Sequence, residues 1–158
     1  MPVVAYIGIG ANLGQARASV EQAITRLATL AGCDLLQSSS LYATAPIDAD
    51  GDDYVNAVAA VVTDLTPHAL LHALQAIEQQ HGRQRPYRNA PRTLDLDLLL
   101  YGQQALDSAQ LTLPHPRMTQ RAFVLVPLLE IAPGIEIPGQ GAARTWLAGV
   151  ADQAITRL

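Results

Sequence analysis

The residues best suited to chemistry sit in one run, PRTLDLDLLLY, from Pro91 to Tyr101. In a strand, residues two apart share a face, so Asp95 and Asp97 project together with α-carbons about 6.6 Å apart, while Leu94, Leu96 and Leu98 enter the core. Two neighbouring carboxylates on an otherwise apolar strand repel, and the cost falls when something positive lies between them. A pair of oxygen ligands suits Mg²⁺, which takes one or two carboxylates and completes its shell with water and substrate phosphate. An edge strand with a solvated acidic face is the plainer alternative, because alternation alone is common.

The flanking residues favour the metal. GRQRPYRNAPRT, Gly82 to Thr93, holds four arginines, two prolines and a glycine, the composition of a loop rather than a packed element. Arginine forks match phosphate oxygens bidentately, so an acidic strand and an arginine loop together can hold a metal–triphosphate complex. Downstream, LTLPHPRMTQRAF from Leu111 to Phe123 sets His115 between two prolines that fix its backbone, with Arg117 and Arg121 close by to share an anion. His68, His72 and His81 have no such setting and are read as incidental. Phe123, the only phenylalanine, reads first as a core residue of the helix that follows it.

All ten basic residues are arginine. Without lysine, neither a G-x-x-x-x-G-K-[ST] phosphate loop nor a Schiff-base site can be built. The formal net charge of −4 over 158 residues argues against a nucleic-acid or membrane-surface partner. Six arginines nonetheless fall between Arg83 and Arg121, which concentrates positive charge where an anion would bind. Cys33, the only cysteine, reads as a small buried apolar residue in a reducing compartment. The N-terminus has no basic start, and its apolar run is too short for a signal or a spanning helix, so a cytoplasmic protein is expected.

The elements that must position these groups follow from hydrophobic spacing. Val3 to Ile9 reads as a buried strand closed by Gly8 and Gly10. Val20, Ala23, Ile24, Leu27 and Leu30 mark one face of a helix over Gln15 to Leu30, ended by Gly32. A second strand is expected over Leu35 to Tyr42, a loop over Ala43 to Asp53, and a third strand over Tyr54 to Thr63. Thr66 then caps a helix with Pro67 in its first turn and Leu70, Leu71, Leu74 and Ile77 as its buried stripe, up to His81 and Gly82. A fourth strand covers Thr93 to Tyr101. The order β-α-β-β-α-β predicts an α+β fold: an antiparallel sheet with both helices on one face. C-terminal additions are expected as short strands near Leu111 to Leu113 and Ile135 to Ile137, a helix around Thr119 to Ile131, and a last helix near Ala143 to Ile155. Residues 1–158 are expected to form a single domain.

PRTLDLDLLLYG, LPHPRMTQRAFVLVPLLEIAP, YIGIGANLG near the start and YVNAV in the third strand together resemble the 6-hydroxymethyl-7,8-dihydropterin pyrophosphokinases of folate biosynthesis, over nearly the whole chain. The resemblance implies a ferredoxin-like core and transfer of the terminal pyrophosphate of ATP to a reduced hydroxymethylpterin, releasing AMP, with two Mg²⁺ ions held by Asp95 and Asp97. It implies ATP contacts from Arg92, His115 and Arg121, with Arg83 and Arg85 on loops that close over the phosphates. Gln75 and Glu78 would meet the nucleotide, and Leu111 and Thr112 would lie beside adenine and ribose. For the pterin it implies backbone contacts from Thr44, Ala45 and Ile47, ring recognition by Asn56, an aromatic pair in Tyr54 and Phe123, and support from Asn12. No nucleic acid or membrane partner is implied, and a monomer is expected. Asn89, Gln110 and Pro116 depart from the family pattern, which bears on loop closure and ATP affinity rather than on the reaction. Two other readings start from the same residues. A two-metal nucleotidyl transferase would use the carboxylate pair equally well. A single-stranded RNA-binding module would share the fold, but the chain lacks the strand aromatics for it.

Overall fold

The computed structural model describes residues 2–12, 15–45, 54–82 and 94–158. Nine alternating residues form the first strand, β1 (Val3–Ala11), and the stripe read from Val20, Ala23 and Leu27 forms α1 (Ala16–Ala28). Gly32, at φ +82°, turns the chain into β2 (Cys33–Ser38). A side chain there would need backbone conformation that L residues rarely adopt, and its Cβ would lie 2.9 Å from Leu65.

The expected second strand is in fact two. β2 stops at Ser38 and β3 (Tyr42–Thr44) begins four residues later, so the loop expected from Ala43 starts later too. At the break, Val58 N–H donates to Ser39 Oγ at 2.9 Å, and Ser39 N–H donates to the Val58 carbonyl. A hydroxyl here replaces a backbone carbonyl, the competition with the strand ladder that serine offers. β4 (Tyr54–Thr63) has the expected bounds.

Thr66 caps α2 (Pro67–Gly82) as expected, its Oγ1 accepting from Ala69 N–H at 3.2 Å. β5 (Asp95–Tyr101) follows two residues later than the fourth strand's expected start; Leu94 precedes it and Thr93 lies outside the described residues. β6 (Leu106–Asp107) and β7 (Thr112–Leu113) form a small hairpin. The expected helix from Thr119 is divided into a 3₁₀ turn (Met118–Gln120) and α3 (Ala122–Ile131), because Arg121 between them is extended at φ −128°, ψ 115°. β8 (Glu136–Ile137) and β9 (Gly141–Ala142) make a second hairpin.

The last expected helix is corrected most. Ala143–Val150 is 3₁₀, and Ile155–Arg157 forms a strand, β10, paired antiparallel with β3. β-branched Ile155 and Thr156 suit that edge, and the backbone groups β3 would otherwise leave unpaired supply the reason.

The main sheet is antiparallel, in the order β10-β3-β4-β1-β5, with β2 on the same side of β4 as β3. Its two faces carry separate cores. Ala5, Ile7 and Ile9 of β1, Ala57, Ala59 and Val61 of β4, and Leu96 and Leu98 of β5 pack with Val20, Ala23 and Leu27 of α1 and Leu70, Leu74 and Ile77 of α2. Val58, Leu99 and Leu100 pack on the other face with Met118 and with Val124, Leu125 and Leu128 of α3. Pairing passes from Ile7 with Leu98 to Tyr6 with Leu100, so Leu99 is an extra residue and the alternation of β5 changes phase there. Asp95 and Asp97 lie before this bulge and Tyr101 after it.

α3 is tied to the broken edge by one carboxylate. Glu130 accepts from Ser40 N–H at 3.0 and 3.1 Å, from Ser40 Oγ at 2.9 Å and from the Tyr42 hydroxyl at 2.6 Å. Burial raises the Glu130 carboxyl, but the hydrogen bonds from Tyr42 and Ser40 outweigh it and hold the group below its ordinary value. Tyr42 is pushed up to about 12, first by burial and then by its bond to that carboxylate.

Candidate active site

The register places the chemistry. Gly10 pairs with Asp95 and Gly8 with Asp97, so the two carboxylates stand beside two residues without side chains on the face away from α1 and α2. Leu94, Leu96 and Leu98 are buried on the opposite face, as alternation requires. The two glycines form part of the lining of a cavity of about 230 Å³. Asp95 and Asp97 line it, together with Thr44 and Ala45 at the end of β3, Tyr54 and Asn56 of β4, and Arg121, Phe123 and Val124 at the start of α3.

Within this cavity, Asn56 is buried and its Nδ2 donates to Thr44 Oγ1 at 2.7 Å, which fixes the amide plane. A Cβ on Gly10 would lie 2.8 Å from Asn56 Oδ1, so glycine at position 10 is what leaves room for the amide. Phe123 is half-buried rather than a full core residue, and the Arg121 guanidinium lies over its ring, 5.3 Å from the centroid.

A second cavity, of about 270 Å³, opens on the other side of β5. Leu96, Asp97 and Leu98 form its base, Leu71 of α2 one wall, and Ser108 to Thr112 with His115 and Pro116 the rest. Ser108 Oγ accepts from Leu111 N–H at 3.1 Å and pairs with His68 Nε2 at 3.2 Å, so His68, read as incidental, braces this wall. His115 is held to β5 by its N–H, which donates to the Leu99 carbonyl at 3.0 Å. Its Nδ1 accepts from Arg117 N–H at 3.2 Å, an arrangement that in the neutral ring leaves the proton on Nε2. Burial lowers the His115 pKa; the Asp97 carboxylate opposes this, and Arg121 and Arg117 add to the depression. Asp97 lines both cavities.

The structure brings together Thr44, Ala45, Tyr54, Asn56, Asp95, Asp97, Arg121 and Phe123 in one cavity, and Leu111, Thr112, His115 and Asp97 in the other. Three expected residues stand elsewhere. Gln75 is exposed on α2 and Asn12 is half-buried past β1; neither lines either cavity. Glu78 turns to the sheet: its Oε2 accepts from Leu96 N–H, between the two aspartates, at 2.7 Å. Ile47, Arg83, Arg85 and Arg92, and the departure at Asn89, lie outside the described residues. Gly8 and Gly10, expected to close the first strand and part of the YIGIGANLG run, lie inside β1; their two-residue spacing, in phase with Asp95 and Asp97, is the signal that marks them as cavity lining.

Among the described residues no group of three or more His, Cys, Asp or Glu could hold a metal by itself. Two carboxylates lining one cavity fit a hard divalent ion that draws its remaining ligands from water and a bound phosphate.

The two cavities meet at one strand carboxylate, Asp97. Residues 6–133 match the 7,8-dihydro-6-hydroxymethylpterin-pyrophosphokinase family, and the chain belongs to that family. The 2-amino-4-hydroxy-6-hydroxymethyldihydropteridine pyrophosphokinase of Pseudomonas aeruginosa is 43% identical over 154 residues, 97% of this chain and 95% of its own length. That of Haemophilus influenzae is 40% identical over 157 residues, 99% of this chain and 98% of its own length. A solved HPPK-DHPS of Plasmodium falciparum has the same fold at a TM-score of 0.75 and 13% identity, over 96% of this chain. The chain spans less than half of that larger protein, 46% of its length.

Proposed function

We propose that the chain transfers pyrophosphate from ATP to 6-hydroxymethyl-7,8-dihydropterin, giving AMP and the pterin diphosphate in folate biosynthesis, at the junction of its two cavities. The observation that carries this placement is Asp97, which lines both. The first cavity takes the pterin and the second the nucleotide. Tyr54 and Phe123 offer aromatic faces to a flat heterocycle, and Asn56, oriented by Thr44, reads its donor–acceptor edge. Leu111 and Thr112 line the nucleotide's wall, with His115 and Arg121 near its phosphates. Arg83, Arg85 and Arg92 are assigned to the phosphates by family resemblance, as are Gln75 and Glu78 to the nucleotide and Ile47 and Asn12 to the pterin side. Glu78 has a second role open to it, since its bond to Leu96 N–H steadies the strand between the aspartates.

Asp95 and Asp97 would hold Mg²⁺, two ions by the family resemblance, which neutralises charge developing on the phosphates. In the transfer, the pterin hydroxyl oxygen bonds to the β-phosphorus, the bond from that phosphorus to the α,β-bridging oxygen breaks, and AMP leaves with the electron pair. The hydroxyl proton is released. No protein nucleophile is required: arginine and histidine orient and stabilise the phosphates, and the aromatic walls exclude water.

The strand order β5-β1-β4-β3, with α1 and α2 on one face, supports the ferredoxin-like assignment. Residues 1–158 are taken as one catalytic domain acting as a monomer in the cytoplasm; no described helix is long and apolar enough to cross a membrane. Incubation with ATP, Mg²⁺ and the reduced pterin should yield AMP and the pterin diphosphate in equal amounts. ADP in place of AMP would overturn the assigned transfer, and release of pyrophosphate would point to a nucleotidyl transferase.

A further inference from the structure

The segment after the family match, residues 134–158, reaches back to the start of α3 through one side chain. Gln153 Oε1 accepts from Ala122 N–H at 2.9 Å, and Gln153 Nε2 donates to the Gln120 carbonyl at 2.9 Å. These are the backbone groups on either side of Arg121. Because Arg121 is extended, the carbonyl before it and the N–H after it point the same way, and the Gln153 amide pairs with both as a neighbouring strand would. The N-cap residue Arg121 makes no side-chain cap bond to α3, and Gln153 satisfies one of the helix's orphan N–H groups from outside.

Gln153 is itself fixed from both sides. Its N–H donates to the Val150 carbonyl, ending the 3₁₀ segment, and two residues later β10 joins β3, with Ile155 opposite Thr44. The segment therefore links the two sides of the first cavity, β3 with Thr44 and the α3 start with Arg121.

We propose that Gln153 is a positioning residue for Arg121, holding the extended backbone from which the guanidinium reaches over Phe123 toward the carboxylate pair. This rests on the assignment of Arg121 to the phosphates. A misplacement of about 1 Å in an orienting group can cost on the order of 100-fold in rate.

Gln153→Met keeps the side chain's length and removes both hydrogen bonds; Gln153→Glu keeps the acceptor and loses the donor to Gln120. Each is measured alone and combined with Arg121→Ala, for kcat, both KM values and thermal midpoint. With Arg121 intact, kcat should fall about 10-fold or more in Gln153→Met and by less in Gln153→Glu. In the Arg121→Ala background the same substitutions should leave kcat within about twofold, because the group they position is gone. A Gln153→Met loss of kcat that persists undiminished in that background would overturn the proposal and mark Gln153 as structural only. An unchanged kcat with Arg121 present, when Arg121→Ala is impaired, would also overturn it. If Arg121→Ala is itself as fast as the parent, the assignment of Arg121 fails, and with it the role given to Gln153. Should Gln153→Met not fold, Gln153→Glu carries the same comparison.

Discussion

Replacing Gly10 with alanine tests how the pterin cavity is built. The new Cβ would stand 2.8 Å from Asn56 Oδ1, whereas ordinary contact begins near 3.4 Å, so the oxygen must retreat by about 0.6 Å. Asn56 is poorly free to do so. It is buried, and its Nδ2 is held 2.7 Å from Thr44 Oγ1. The amide must rotate or shift away from the pterin edge, which weakens one or two hydrogen bonds to the ligand at about 1 kcal/mol each. That corresponds to a pterin KM raised between about 5- and 30-fold, since 1.4 kcal/mol is a factor of ten. The KM for ATP should stay within about twofold, because Gly10 lines only the first cavity. Steady-state kinetics with each substrate varied in turn would measure both, with Asn56→Ala as the reference for complete loss of the amide. A Gly10→Ala enzyme with the parent's pterin KM would refute the reasoning, showing that Asn56 does not read the ligand from this position.

Asp97→Asn keeps the shape of the side chain and removes the charge facing both cavities; kcat should fall by about 100-fold or more, with the shortfall unrelieved by excess Mg²⁺. Ser39→Ala leaves the buried Val58 N–H without its hydroxyl acceptor and should cost about 1–3 kcal/mol of stability in urea unfolding, with kcat of the folded enzyme unchanged. The Tyr42–Glu130 contact predicts stability at both ends of the pH scale. Glu130 is held below its ordinary value, so its contribution is present above about pH 4.5 and lost as pH falls through the lowered value. Tyr42 titrates at about 12 when folded and near 10 when unfolded, so its contribution is present below pH 10 and lost as pH rises from there toward 12. Thermal midpoints across pH for Glu130→Gln and Tyr42→Phe should each lose the corresponding limb; parent-like profiles in both would contradict the role given to the contact.

Local spacing made much of this legible. β4 lies at the residues expected for the third strand, and the Thr66 cap and the buried stripe of α2 are where a 3.6-residue period places them. The carboxylate pair follows from period-two alternation in β5 alone. What sequence spacing missed depends on contacts distant along the chain. The break between β2 and β3 is held by Glu130, ninety positions from Ser40. The last strand has no local signal against a helix, because it forms by pairing with β3, an edge that exists only where β2 and β3 separate. The bulge at Leu99 interrupts a run of leucines in which no residue type marks a change of phase. Asn56, Thr44 and Tyr54 have nothing in their own spacing to mark them as site residues; family resemblance singled them out, and the sheet register puts them beside Asp95 and Asp97. Glu78 has its expected place on α2, and its bond from the Leu96 N–H is a contact that helical spacing alone does not reveal.

The central claim is that pterin and nucleotide occupy the two cavities and meet at Asp97. A crystal structure with Mg²⁺, a non-hydrolysable ATP analogue and the pterin tests it most directly. The pterin ring should lie between Tyr54 and Phe123 with its edge on Asn56, the adenosine against Leu111 and Thr112, and the phosphates at Asp95 and Asp97. A pterin bound away from Asn56, or phosphates that do not reach the two aspartates, would contradict it.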